Sequence, residues 1–429
     1  MRRSIWPCLA AAAWLSACED NERGIHPATD TGGATDAATS APDGADGADA
    51  LTGAPDGAND DATQPPTDTT PLAETTPVDV GLLPNGCDPT HACQKGACRS
   101  GVCVEDPPAD EVSHTTDPTD NAPTTQWPDL SCADHTAPAP TQTETATLHG
   151  AVTRFGKGRE TYGVRVDVLL AGGFDPSACA AETDAAQVAC YRAAGTQIGT
   201  ATSAEPSADA VLPDVCTEHA QCPLGWQCDD PNELGGVCKR EFGLYEIPGV
   251  PLETPLILRA YVPNDTGRWH DTWIFHVVLH AAKVVGGRVQ YDAQMVSEGQ
   301  WILTPNSVGM TSGIPPEHGV VGGRIRDCEA AGEDSWPIAN VRLNLANKAV
   351  AIVYFNNLED DTVPLIERET TDILGRFAAL DVEPGWNLIA GSARVESGVV
   401  SVGAEPVYVF PNALSIVSWP GSQPYWRQD

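Results

Sequence analysis

Positive charge and long apolar runs are what this chain of 429 residues has least of. Lys and Arg number 24 against 59 Asp and Glu, a formal net charge of −35. Nucleic acid and anionic lipid head groups would be repelled by such a chain, so nucleic acid is not an expected partner. No segment supplies the roughly 20 apolar residues of a membrane-spanning helix. The most apolar later stretch, Trp273 to Val285, is short and broken by His276, His280 and Lys283. Catalytic motifs are missing as well. None of the 10 histidines has Glu three residues later, and no His-Glu-x-x-His occurs, which excludes a zinc peptidase centre of either pattern. Gly309 to Gly313 sets Ser312 off the centre of a nucleophile elbow, and no phosphate-binding loop is present. The expectation is a protein that is not an enzyme and that carries no cofactor and no metal.

Two residue sets keep a ligand in view. His276 and His280, with His270 and Asp271 nearby, would share a face if helical. The Val, Ile and Phe around them favour a strand, so they read as histidines on a sheet surface. Trp226, Trp269, Trp336, Trp386, Trp419 and Trp426 fall at expected turns or ends. Aromatic faces there can stack on sugar rings or anchor a protein, and Trp386 and Trp336 are the candidate contacts. Large side chains at strand ends also serve as plugs of a core.

The start of the chain has the parts of an export signal: Arg2 and Arg3, an apolar stretch from Ile5 to Trp14, then small residues. Leu15-Ser16-Ala17-Cys18 resembles the lipobox of bacterial lipoproteins. That resemblance implies cleavage before Cys18, lipid on its sulfur, and a place in the bacterial cell envelope, at the outer membrane. Three acyl chains would hold far more firmly than one, which binds only marginally. Residues 1–18 are then the signal and 19–86 an acidic tether. Ala41-Pro42-Asp43-Gly44-Ala45 recurs in the tether at Ala54-Pro55-Asp56-Gly57-Ala58, with almost no aromatic or branched apolar residues. Such a segment cannot bury enough apolar surface to offset its chain entropy, and should stay disordered. As a flexible chain it would span roughly 40–50 Å, and more with its charges repelling.

Of the 14 cysteines, Cys8 leaves with the signal and Cys18 takes the lipid, which leaves 12, an even number suited to an oxidising compartment. Cys87, Cys93, Cys98 and Cys103 form one short set and Cys216, Cys222, Cys228 and Cys238 a second on the same plan, each with glycines between. Zinc prefers ligand pairs two to four residues apart, and the wider gaps here read as disulfide staples. Each set allows three connectivities, and spacing does not choose among them. The second set resembles cysteine-rich repeats of extracellular proteins, of the Dickkopf amino-terminal type and compact EGF-like knots. Cys179 and Cys190 could close a local loop, which leaves Cys132 and Cys328 as a long-range pair.

From Ala146 onward the pattern becomes short alternating strands bounded by turn residues, as in Val164-Arg165-Val166-Asp167-Val168. Two series share a register. Phe242-Gly243-Leu244-Tyr245 aligns with Leu374-Gly375-Arg376-Phe377, and without a gap Val250 falls on Val382, Leu256 on Leu388 and Ile257 on Ile389. Strands at Gln300 to Thr304 and at Glu367 to Thr371 are expected, with Ile302 to Asn306 matching Tyr408 to Asn412. Thr370-Thr371, Gly375-Arg376-Phe377 and Val382-Glu383-Pro384-Gly385-Trp386 resemble the carboxypeptidase regulatory-like family of prealbumin-type β-sandwiches. That resemblance implies an accessory, noncatalytic domain; an immunoglobulin-like sandwich fits the strand pattern too. The expected architecture is all-β: a cysteine-rich module at 87–103, a low-complexity linker at 104–143, one sandwich at 144–310 with a cysteine-rich insertion at 204–240, a second at 314–419, and a tail at 420–429. The expected role is a membrane-anchored surface protein that presents sandwiches for adhesion or for binding an envelope protein, or alternatively a glycan-binding module.

Overall fold

The computed structural model describes residues 83–117, 120–133, 144–155, 161, 163–181, 184–204, 213, 215–216, 226–229, 237–240, 243–263, 265, 267–328, 335–357 and 363–419. Cys18, most of the tether, Cys222 and Trp426 lie outside these residues. The chain is all-β, and its framework is two sets of seven strands. The first is β1 (Thr145–Arg154), β2 (Arg165–Leu170), β3 (Gln197–Thr202), β4 (Leu244–Pro251), β5 (Leu256–Tyr261), β6 (Thr272–Val277) and β7 (Ala293–Ser297). The second is β8 (Gly319–Ile325), β9 (Arg342–Leu345), β10 (Ala349–Phe355), β11 (Arg376–Val382), β12 (Gly385–Val395), β13 (Gly398–Val409) and β14 (Leu414–Trp419).

The two sets repeat each other in six of their seven strands; the third strand changes sheets, β3 pairing with β2 and β10 with β11. β4 runs antiparallel to β1 as β11 does to β8, and β7 runs parallel to β1 as β14 does to β8. β5 lies between β2 and β6 as β12 lies between β9 and β13. Even the irregularities coincide. Ile247 faces Leu148 and Val250 faces Ala146 across a bulge, and Ala379 faces Val321 and Val382 faces Gly319 across the same bulge. Gly243 and Gly375 open β4 and β11 at φ of +85° and +67°, where a side chain is strained. A Cβ on either would lie 2.3 Å from a carbonyl oxygen, of Thr161 and of Ile325 respectively. Each glycine carbonyl accepts a hydrogen bond from the matching residue of the first strand, Val152 or Ile325.

The repeats are not two beads on a string. β6 and β14 pair in parallel, Thr272 with Leu414, Trp273 with Ser415 and Ile274 with Ile416. That edge joins half of each sandwich into one nine-stranded sheet, ordered Pro364–Leu365, β10, β11, β8, β14, β6, β5, β2, β3. The sheet of β4, β1 and β7, extended by Trp269–His270, and the sheet of β9, β12 and β13 complete the two sandwiches. Strand side chains alternate between faces, so each central strand feeds two cores. Leu256, Leu258, Ile274, Val320, Ala378 and Leu414 enter the first core. Their neighbours Ile257, Trp273, Phe275, Val321, Phe377 and Val417 enter the second. All six residues of β5 are buried, as in a strand covered on both sides, and the one charged residue among them, Arg259, is paired with Asp271.

Three stretches differ from the sequence expectation. Gln300–Thr304 is helical, within α2 (Glu298–Ser307; α1, at Asp184–Ala193, lies between β2 and β3). Ser297 caps α2, accepting from the Gln300 amide while the Gln300 side chain accepts from the Ser297 amide, a reciprocal capping box that outweighs the apolar run. The counterpart of β13 is therefore β6, and Ile302 to Asn306 does not match Tyr408 to Asn412. Glu367–Thr371 is not a strand: Thr371 Oγ1 donates to Ile338 O and accepts from Val341 N, and so replaces a ladder. Residues 104–117 and 120–133, in the stretch read as linker, are laid down on the second sandwich. His114–Asp117 pairs with Ile338–Ala339, and Arg394 donates to the carbonyls of Pro107 and Pro108.

Trp273 tests the shared sheet, because its ring stacks on Phe410 of the second repeat at 4.1 Å between centroids. Trp273→Ala should cost about 3–5 kcal/mol. Calorimetry should show one transition moving down as a whole, whereas two independent sandwiches would leave the second-repeat transition in place.

Candidate functional site

The cysteines of the first module pair as Cys87–Cys98 and Cys93–Cys103. Its hairpin, Ala97–Arg99 against Val102–Val104, sets Cys98 opposite Cys103. The grouping of Cys87, Cys93 and Cys103 that could suggest a metal site is thus made of disulfide sulfurs. Cys179 is bonded to Cys190, and Cys132 to Cys328 across 196 residues. The second module has the same hairpin, Trp226–Asp229 against Val237–Arg240, with Cys228 opposite Cys238, and Cys216 is in a disulfide. The first module sits on the second sandwich: Asn85 Nδ2 donates to Leu345 O, Asn344 Nδ2 to Cys103 O, and Val102 and Val104 are buried against Ala346 and Ala390.

The histidines are held by the protein and do not converge. His276 Nε2 donates to Pro406 O at 2.7 Å, with Glu405 Oε2 at 3.6 Å. His280 Nδ1 meets Glu253 at 3.1 Å, and His270 meets Glu298 at 2.6 Å while stacking on Trp301. Asp271 is paired with Arg259, a buried guanidinium lying 3.9 Å over the Tyr261 ring. Of the tryptophans, Trp386 packs edge-on against Tyr408 at 5.5 Å and is half-buried, and Trp336 donates its backbone amide to buried Asp327. Burial, with the Asp129 carboxylate adding to it, pushes the Asp327 carboxyl up to about 6. Trp269 lies under Arg154 and packs on the first core, and for Trp226 and Trp419 the backbone strand alone is described. Among the described residues Trp127 is the exposed tryptophan, and it borders an open groove of about 460 Å³ with Pro128, Leu130, Val395, Glu396 and Val400.

A second cavity, about 340 Å³, lies where the two repeats share their sheet. Strand register builds its floor. Ile274 and Ile416 are neighbours on parallel strands, and two residues further along, Ser418 lies beside Arg324 and Arg324 beside Arg376. His276, Lys283, Tyr291, Asp292 and Arg326 close the sides, with Phe155 and Phe355 as an edge-to-face pair at 6.5 Å. Burial pushes the Tyr291 phenol up to about 12, against the opposing pull of Arg326. Composition gave no pointer to this cavity, because its cations come from distant segments that only the β8 and β11 register brings together.

No family model matches the chain, and no curated protein does. Among solved structures it is similar to the shaft pilin SpaA of Lactobacillus rhamnosus GG, at 9% identity over 65% of this chain and 99% of that one, with a TM-score of 0.15. It is similar also to GBS52, a minor pilin of Streptococcus agalactiae, at 10% identity over 65% and 94%, TM-score 0.16. The Bacillus anthracis TIE protein is similar at 9% identity over 64% and 33%, TM-score 0.15. Similarity this low says nothing of what the chain does. No helix among the described residues is long and apolar enough to cross a membrane.

The shared hairpin plan predicts the pairing in the second module. Peptide mapping without reduction should recover Cys216 linked to Cys228 and Cys222 linked to Cys238; a Cys216–Cys222 or Cys228–Cys238 peptide would show that the modules differ.

Proposed function

We propose that the protein is a noncatalytic lipoprotein of the bacterial cell surface, held through Cys18 and presenting its fused sandwiches to a partner in the envelope or outside it. The supporting observation is how the presented body is built. Its two sandwiches share one sheet, and the segment that leads into them is fastened by hydrogen bonds and by the Cys132–Cys328 disulfide. A rigid head after a long acidic spacer suits presentation at a distance. The leader and the sequence ending in Cys18 supply the address. An alkyne analogue of palmitate fed to expressing bacteria should label the wild-type chain and leave Cys18→Ala unlabelled and released from membranes. Labelling of the variant, or its retention with membranes, would remove the anchor from this reading.

A glycan-binding reading has one observation in its favour, and it moves the contact from Trp386 to Trp127. Trp127 is 42% exposed beside a groove, as a platform for a sugar ring requires. Trp127→Ala should abolish polysaccharide pulldown with its melting temperature unchanged. Trp386→Ala should instead lower the melting temperature, since its ring packs on Tyr408.

A further inference from the structure

We propose that the open part of the β10 edge is a dimerisation surface, at which a second copy of this chain adds its own β10 antiparallel and continues the nine-stranded sheet across a two-fold axis. This goes beyond the surface-presentation reading and does not depend on the anchor. β10 stands at this end of the sheet because the third strand of the second repeat has changed sheets. One side of it pairs with β11, from Ala349 to Tyr354. On its other side Pro364–Leu365 covers Phe355 and Tyr354 alone. Among the described residues no strand pairs with the outer side of Ala349 to Val353, and such a row of backbone N–H and C=O groups is a template for strand addition.

The side chains of this edge do not defend it. Natural edges are blunted by charge, by Pro or by a bulge. Ala349–Phe355 has no charged residue, no Pro and no Gly, and Val350 is 60% exposed. Val363, Leu365 and Ile366 add exposed apolar side chains beside it. The opposite edge of the same sheet is different. β3 exposes Gln197, Thr200 and Thr202, and just past its end Ala204 is tied to β4, donating to Leu244 O and accepting from Gly243 N.

Charge and fit single out a second copy as the occupant. Copies of a chain with net charge −35 repel one another, yet residues 335–358 contain no Asp or Glu, and Lys348 is the one charge between 346 and 357. The two strands therefore meet without an acidic side chain on either. The open stretch is also bounded, by Leu365 at one end and by the bend at 346–347 at the other. Antiparallel pairing centred on Ala351 fits that length. Val350 of each copy then faces Ile352 of the other, Ala349 faces Val353, and each copy's bend departs where the other's Leu365 begins. A longer foreign strand would run into Leu365. Two-fold pairing uses up the edge, so assembly stops at two copies. With five residues paired, the dimer is a weak one that depends on concentration.

The test is sedimentation velocity on the mature chain from residue 19 onward, without the lipidated cysteine, over about three decades of concentration. A monomer–dimer equilibrium should appear, with no larger species. Added salt should strengthen it, because screening removes the repulsion between acidic copies. Val350→Lys sets a charge against Ile352 on both sides of the axis and should weaken the dimer by about tenfold or more. Val350→Thr, β-branched and uncharged, should keep it. Val350 is exposed, so both variants should melt at the wild-type temperature. A chain that stays monomeric throughout would overturn the proposal. So would a dimer that salt dissociates, one that Val350→Lys leaves intact, or growth past two copies.

Discussion

Everything else in this fold depends on a short parallel pairing, Thr272–Ile274 with Leu414–Ile416. Without it, β6 and β14 would each present an open sheet edge, the surface most prone to pairing with another chain. With it, one sheet belongs to both sandwiches and its central strands are buried on both faces. The two cores then lie back to back across the same strands, so Val320 and Val321, adjacent in sequence, stabilise different halves. A change in one core is felt in the other through backbone they share.

The internal repeat was legible because it rests on local signals. A glycine with positive φ before an alternating strand marks β4 and β11, and the pattern from Leu256 to Ile257 against Leu388 to Ile389 stays in step without a gap. What could not be read was which edge meets which. Parallel pairing of β6 and β14 joins residues more than a hundred positions apart and leaves no periodic trace in either strand. Gln300 shows the converse error: Ile302 and Leu303 resemble a strand, yet both are about half exposed, and the cap formed with Ser297 decides for helix.

Composition misled at 104–133 for a different reason. Pro, Thr and Asp there lack apolar content, but the segment is held by backbone carbonyls, by Arg394 and by Ser113, and needs no core of its own. The cavity shows the same limit. Arg324, Arg326, Arg376 and Lys283 look unremarkable along the chain, and they become a group only when β8 and β11 are in register and the Ala281–Lys283 turn lies over them. Among the described residues the tryptophan side chains go largely into packing, and Trp127, in the stretch taken for linker, is the one left open.

The fastened segment also sets how the molecule would carry a mechanical load. Tension applied at Leu83 passes first into a module closed by two disulfides, which cannot lengthen far before covalent bonds take the strain. It would next peel residues 104–117 and 120–131 from the second sandwich, one hydrogen bond after another. Beyond that the Cys132–Cys328 bond hands the force to the end of β8, in the middle of the nine-stranded sheet, so the whole first repeat is bypassed. The length that such peeling could release is fixed by the position of Cys132, where the disulfide to Cys328 takes the load.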